Sequence, residues 1–450
     1  MARQLFGTDG IRGVAGEYPL DPQTAWAVGA ALGAWISRLH LDPEVVIGMD
    51  TRESGPAIAA SVAGGLEARG VKPRFAGVVT TPGVAYLARS SHFAAGVMIS
   101  ASHNPYHDNG IKVIDHSGFK LADEQEHALE GEIFALRESG QSAAAASLEA
   151  EPELDRSYID YLASTFTHSL DGFPLALDCA NGSASPLAPG LFERLGARVR
   201  ATACSPDGRN INLHCGSLYL DALQREVVSS GVRLGVAFDG DADRALFVSR
   251  SGKVVDGDAV MLLAALALHK QGRLAESDGQ PVVVATVMSN LGLERALASH
   301  GIHLVRTPVG DKYVLEEMVR RGARLGGEQS GHIIFRDWAT TGDGLLTALR
   351  VLEVMLASGL ELDDLTSELT VYPQLLLNVR VKQKRPLADL PAVNDAIRAA
   401  ESEFGGAGRV VVRFSGTEPL ARVMVEGPDR ESVDAHAHRI ASAIREELGS

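Results

Sequence analysis

Cysteine, long apolar runs and basic charge are all scarce in this chain of 450 residues. The three cysteines, Cys179, Cys204 and Cys215, are an odd set without the spacing of a metal site. They read as buried or incidental thiols of a reducing compartment and carry no role here. No stretch approaches the roughly 20 apolar residues that a bilayer span needs. The longest candidate, residues 259–269, reads as a short buried helix. The opening MARQLFGTDG lacks a secretory apolar region, so a cytoplasmic location is expected. Net charge is −15, from 42 Lys+Arg against 57 Asp+Glu. That excludes nucleic acid and anionic membrane as expected partners, since both want a basic face. A small anionic ligand stays open, because a few arginines can dominate one cleft. Also missing are a Walker loop, a GxGxxG with a following acidic residue and a GxSxG elbow. Nucleotide-dependent and serine-hydrolase chemistry therefore lack support.

What is present is a regular alternation. With 45% hydrophobic and 22% charged residues there is ample core, and length alone suggests about three domains. Asp21-Pro22 looks like an N-cap and first-turn proline starting a helix that runs to residue 39. Strands follow at 45–49, around 75–79 and within 96–112, with helices between them and a closing helix over 123–137. Residues 138–157, rich in Ala, Ser and Glu, read as a linker. Further strands lead into Asp178-Cys179-Ala180-Asn181-Gly182 and into Asp239-Gly240-Asp241-Ala242-Asp243-Arg244. A third segment carries strands at 282–286, 303–307 and 324–327. From about residue 372 the pattern changes to strands at 375–381, 409–414 and 420–426 and a final helix over 431–448. The expected fold is α/β: three similar α/β domains with mixed, mainly parallel sheets, plus a C-terminal α+β domain, around one central cleft. The expected borders are 1–150, 156–256, 257–368 and 372–450.

Each unusual polar cluster directly follows an apolar strand, which is where open α/β sheets bind ligands. Residues 96–112, GVMISASHNPYHDNGIK, pass from Val97-Met98-Ile99 to Ser100 and Ser102 and then to His103, Asn104 and Pro105. Asp239, Asp241 and Asp243 place three carboxylates at alternate positions in a tight loop, which needs a cation or arginines to compensate. Hard oxygen ligands favour Mg²⁺ or Ca²⁺. An EF-hand is excluded, because Arg244 and Arg250 occupy the positions that need glycine and glutamate. Glu328, Ser330 and His332 stand among Gly326, Gly327 and Gly331, a composition suited to sugar hydroxyls. Arg413-Phe414-Ser415-Gly416-Thr417 combines a guanidinium, hydroxyls and glycine-exposed amides, as a phosphate cradle would.

The four motifs ISASHNP, DGDADR, GEQSGH and RFSGTEP, in this order and spacing, resemble the α-D-phosphohexomutase superfamily over nearly the whole chain. FGTDGIRG at the start, ISASHNPYHDNGIK and GEQSGH are most similar to its bacterial glucosamine-phosphate branch. The resemblance implies a fourth domain with a TATA-box-binding-like fold. It also implies that Ser102 carries a phosphoryl group, with Ser100 as scaffold. One Mg²⁺ would be held by Asp239, Asp241 and Asp243 together with an oxygen of phosphorylated Ser102. Glu328 and Ser330 match the sugar-hydroxyl loop, while Arg413, Ser415, Gly416 and Thr417 match the loop for the non-reacting phosphate. Arg12, Lys112 and Arg244 would offset charge, and His103, Lys112 and His332 are the acid/base candidates by placement. Gly310, Asp311 and Lys312 match a specificity segment, in which Asp311 would complement an amino-sugar cation.

The implied reaction converts glucosamine 6-phosphate to glucosamine 1-phosphate through glucosamine 1,6-bisphosphate, which serves as intermediate and activator. Its product would supply amino-sugar nucleotide and cell-wall precursor synthesis. The excluded water and the reorienting intermediate imply a mobile fourth domain. Sugar phosphates are the expected partners, with a homodimer left open. The rivals are a phosphomannomutase/phosphoglucomutase of the same fold, a non-enzymatic sugar-bisphosphate sensor and an aspartyl-phosphate phosphatase using Asp239.

Overall fold

The computed structural model describes residues 5–7, 9–39, 41–140, 144–274, 276–277, 279–415 and 419–449. Two compact units emerge from it: Met1–Thr286 with Val305–Ser367, and Val287–Leu304 with Glu368–Ser450.

The first unit holds three mixed sheets. In the first, the order is Phe6–Gly7, Gly10–Val14, Asp108–Asp115, Ala95–Ile99, Glu44–Met49, Lys72–Val78. Glu44–Met49 runs parallel to both neighbours, and the other three strands extend the sheet antiparallel. The central strands are apolar runs buried on both faces, as strands covered by helices must be. The helix Pro22–Ile36 begins as its sequence indicates, with the Asp21 side chain accepting from Thr24 N and proline in the first turn. The second sheet runs Val254–Val255, Ala245–Ser249, Leu234–Phe238, Pro174–Asp178, Arg198–Thr202. The third contains Glu276–Ser277, Gln280–Thr286, Leu325–Gly327 and Ile333–Phe335 in that order. In the second, Pro174–Asp178 runs parallel to both neighbours and the other side continues antiparallel. In the third, the parallel pair Gln280–Thr286 and Leu325–Gly327 has antiparallel partners on both sides.

One stretch departs from expectation. The anticipated linker over 138–157 ends early, because a helix, Pro152–Thr165, starts inside it. Pro152 sits in the first turn, and Tyr158 and Leu162, four residues apart, are both fully buried. The apolar pair outweighs the linker-like composition before it.

The second unit contains a three-stranded antiparallel sheet, Gln374–Arg380, Leu420–Glu426 and Arg409–Phe414 in that order. The helices Pro391–Phe404 and Arg430–Leu448 share a core with it, built from Val379, Val423, Val425, Ala437 and Ile440 among others. This is an α+β arrangement. Among the described residues, no helix is long and apolar enough to cross a membrane.

Candidate active site

The strand Ala95–Ile99 is buried throughout, and the chain leaves the sheet at Ser100. Ser102 is 1% exposed and has φ of 52°, the left-handed region that side chains seldom enter. Its Oγ donates to Asp239 Oδ2 at 2.7 Å and stands 3.3 Å from His103 Nδ1. Ser100 lies beneath it: its Oγ accepts from Ser102 N at 2.9 Å and donates to Asp50 Oδ2 at 2.6 Å. Ser100 is therefore turned into the protein while Ser102 faces the aspartates. A Cβ on Gly240 would stand 2.5 Å from Ser102 O, so glycine there is what lets the two loops approach.

Asp239, Asp241 and Asp243 follow the strand Leu234–Phe238, and each offers an oxygen within 4.8 Å of the others. All three are buried. Asp241 Oδ2 accepts from Lys112 Nζ at 2.8 Å and from Thr81 Oγ1. Asp243 Oδ2 lies 3.5 Å from His332 Nδ1. Oδ1 of Asp241 and Oδ1 of Asp243 are buried without a hydrogen-bond partner among the described residues. Buried acceptors left open in this way are costly. Three hard oxygen donors with spare lone pairs can take a metal ion, which answers both the charge and the missing partners.

The electrostatics divide these groups. Burial, then Asp243 and Asp241, push Asp239 well above the usual carboxylate range. Burial opposes ionisation of Asp243 as well, but His332, Lys112 and Arg244 hold it low. Burial, with Arg244 and Arg12, pushes His103 down to about 4, so its imidazole is neutral at neutral pH. His332 goes the other way: burial opposes its charge, but Asp243, Asp311 and Glu328 together raise it. Burial alone would lower Lys112, yet Asp241, Asp9 and Asp243 keep it charged.

Further groups close around this centre. Arg12 Nη1 donates to Ala101 O at 3.0 Å and pairs with Asp9. Asp9 also meets Lys112 at 3.0 Å and Lys120. Arg244 Nε is 3.8 Å from Asp243 Oδ1 and has no hydrogen-bond partner among the described residues. Glu328 Oε1 accepts from Gly310 N at 3.2 Å, and its Oε2 accepts from Ser330 Oγ at 3.3 Å. Both Asp311 oxygens are engaged, Oδ2 by Lys120 and Oδ1 by Lys312 N at 2.8 Å. The Lys312 ammonium turns instead to Asp123 and to Leu121 O.

In the second unit, Arg413 pairs across the sheet with Arg422. Burial and then Arg422 lower its pKa. Ser415 is buried, its N–H donating to Leu420 O at 2.8 Å and its carbonyl accepting from Lys384 Nζ at 2.6 Å. Gly416 and Thr417 lie outside the described residues.

Several groups at the centre carry no role in the sequence reading: Asp9, Asp50, Arg52, Thr81, Lys120 and Asn212. Asp50-Thr51-Arg52 also follows an apolar strand, so the same rule that singled out the aspartates would have found it. Lys120 and Asn212 offer no such signal, since their partners lie more than a hundred residues away.

Four family models match the chain in order. They are the α/β/α domains I, II and III of phosphoglucomutase/phosphomannomutase, at residues 3–139, 156–252 and 256–372, and its C-terminal domain at 376–443. The phosphoglucosamine mutase of Solibacter usitatus is 60% identical over 100% of both chains. That of Koribacter versatilis is 51% identical over 99% of this chain and 98% of its own. Among solved structures, a phosphoglucomutase/phosphomannomutase family protein from Burkholderia thailandensis superposes with a TM-score of 0.79 at 25% identity, covering 98% of this chain and 97% of that one. Matches this long leave no segment of the fold unaccounted for, and the chain belongs to the phosphoglucomutase/phosphomannomutase family.

Proposed function

We propose that this enzyme interconverts glucosamine 6-phosphate and glucosamine 1-phosphate, with Ser102 as its phosphoryl carrier. The observation that carries the reading is the position of Ser102 Oγ, buried and hydrogen-bonded to an aspartate of the triad. Relatives 60% and 51% identical that bear the name phosphoglucosamine mutase support the substrate. Four domains, at 1–150, 156–256, 257–368 and 372–450, supply in turn the serine, the aspartates, the sugar loop and the phosphate loop.

Asp239, Asp241 and Asp243, with an oxygen of phosphorylated Ser102, would hold one Mg²⁺. When bound, this ion acts as a Lewis acid that neutralises phosphoryl oxygens. Phosphoryl transfer depends chiefly on positioning and charge. Arg12, Lys112 and Arg244 are the cations available for that charge in the first unit, and Lys112 is held protonated by its aspartates. Transfer breaks the bond from phosphorus to Ser102 Oγ and forms one to the sugar hydroxyl, whose proton needs an acceptor. His103 is neutral at working pH and next to Ser102, so it suits that role; His332 is the other candidate.

The resulting glucosamine 1,6-bisphosphate turns over in the cleft and returns its 6-phosphoryl group to Ser102. Glu328, Ser330, Gly310 and Asp311 would meet the sugar, and Arg413, Ser415, Gly416 and Thr417 the non-reacting phosphate. Released glucosamine 1-phosphate would supply amino-sugar nucleotide and cell-wall precursor synthesis in the cytoplasm. A coupled assay comparing glucosamine, glucose and mannose phosphates tests the reading. It expects kcat/KM to favour glucosamine phosphate by about tenfold or more. A preference for glucose or mannose phosphate would overturn it.

A further inference from the structure

Beneath the Ser102 loop lies a side chain that touches no reacting group. Arg52 is fully buried, a costly place for a guanidinium unless each of its five N–H groups finds an acceptor. Each does. Nε donates to Asp50 Oδ2 at 2.8 Å. Nη2 donates to Ser102 O and to Asn104 O, both at 2.9 Å. Nη1 donates to Asp108 O at 2.9 Å and to Pro105 O. Four carbonyls of one loop thus converge on one rigid planar group. Asn212 adds a second hold, its Nδ2 donating to Ser102 O at 2.9 Å and Asn104 O at 3.1 Å. Asn212 is itself fixed by a hydrogen bond from its N–H to Ala180 O at 2.9 Å.

We propose that Arg52, assisted by Asn212, is the positioning residue of the phosphoryl-transfer step: its guanidinium holds the backbone of the Ser102 loop so that Oγ points at the aspartate triad. This rests on the reading of Ser102 as the phosphoryl carrier. The need for a hold follows from geometry. A non-glycine residue at φ of 52° persists only where its surroundings enforce it. The carbonyl that both Arg52 and Asn212 grip belongs to that same residue. With all its donors committed to Asp50 and the loop, Arg52 has none left for a phosphate. Its effect is therefore on where Oγ stands and not on how tightly substrate binds. Lysine cannot replace it, since one ammonium has three donors and no planar fork.

The test is steady-state kinetics of Arg52→Lys and Asn212→Ala in the full chain with Mg²⁺ and glucosamine 1,6-bisphosphate, alongside Ser102→Ala. Folding is checked by circular dichroism and melting. Arg52→Lys is expected to lower kcat about 100-fold while KM for glucosamine 6-phosphate stays within about threefold, as a misplaced reacting group does. Asn212→Ala is expected to lower kcat about tenfold with the same unchanged KM. Intact mass should still show Ser102 accepting phosphoryl from the bisphosphate, but more slowly in both variants. Folded variants with wild-type kcat, or a loss carried wholly by KM, overturn the proposal. If Arg52→Lys does not fold, the Asn212→Ala result decides. If Ser102→Ala itself stays active, the reading of the carrier has failed, whereas an inactive Ser102→Ala beside active Arg52→Lys and Asn212→Ala removes the positioning role alone.

Discussion

Ser102 and Asp239 follow the ends of two buried strands and share one hydrogen bond of 2.7 Å, but their loops are stabilised in different ways. Around Ser102 the polar groups are matched within the protein: Arg52 spends four donors on the loop and its fifth on Asp50, and Ser100 bridges Asp50 to Ser102 N. Around Asp239 they are not, since among the described residues Asp241 and Asp243 each keep one buried oxygen without a hydrogen-bond partner. The first loop is finished by folding. The second is left with an electrostatic cost that a bound cation would offset. The carrier loop is thus held by protein groups, whereas the aspartate loop keeps charge for a ligand to offset.

The sharpest way to break the comparison is to remove the carrier. Ser102→Ala should lower turnover by at least about 10³-fold in the coupled assay, even with added glucosamine 1,6-bisphosphate. The fold should survive, because the loop's hold lies in its backbone, with a stability loss of about 1 to 3 kcal/mol from the missing hydrogen bond to Asp239.

Next comes the unfinished loop. Mg²⁺ at about 100 times its dissociation constant should stabilise the wild type by about 2.7 kcal/mol. Asp241→Asn should lose most of that gain in a melting titration and most of the activity with it. An equal Mg²⁺-dependent shift in both proteins would mean that the triad is not the metal site.

How much of this is legible in the sequence depends on whether the partners are local. Ser102, the three aspartates and Glu328 lie in short runs directly after apolar strands, so strand pattern and side-chain chemistry point to them together. Thr81 meets Asp241 across 160 residues, and Asn212 meets Ser102 across 110. Each looks like an ordinary helix-start threonine or loop asparagine until the chain has folded. The strands at 303–307, 409–414 and 420–426 follow the apolar pattern to the residue. The start of the helix Pro152–Thr165 is hidden by alanine and serine upstream, though Pro152 and the spacing of Tyr158 and Leu162 mark it.

A buried carboxyl between the two extremes sharpens the comparison. Asp343 accepts from Tyr158 OH at 2.8 Å and from Leu346 N at 2.9 Å, and Arg89 favours its charge only weakly. Burial raises it to about 6 despite those bonds. The folded chain therefore holds this proton more readily than the unfolded chain. Stability should fall as pH rises from about 4 to about 6, and the cost should persist above that window. A shift of about two pKa units corresponds to about 3 kcal/mol. Asp343→Asn keeps the N-cap of the helix Gly344–Ser358 and loses the charge, so its melting temperature should exceed wild type at pH 7 and match it near pH 4. An unchanged difference between the two pH values would contradict the assignment.

The smallest effect belongs to the frame. Ser100→Ala leaves Ser102 N without its acceptor and Asp50 with Arg52 but without its hydroxyl donor, which should cost about 1 to 3 kcal/mol of stability. Turnover should fall far less than in Ser102→Ala. If the two alanines were equally inactive, the division between carrier and scaffold would be wrong.

The most direct test of the account is the destination of the phosphoryl group. The protein is mixed with Mg²⁺ and glucosamine 1,6-bisphosphate, quenched in acid, weighed intact and mapped by peptide sequencing. The account predicts a single acid-stable phosphate on Ser102, absent from Ser102→Ala. An acid-labile phosphate on Asp239, or a phosphate that persists in Ser102→Ala, would contradict it.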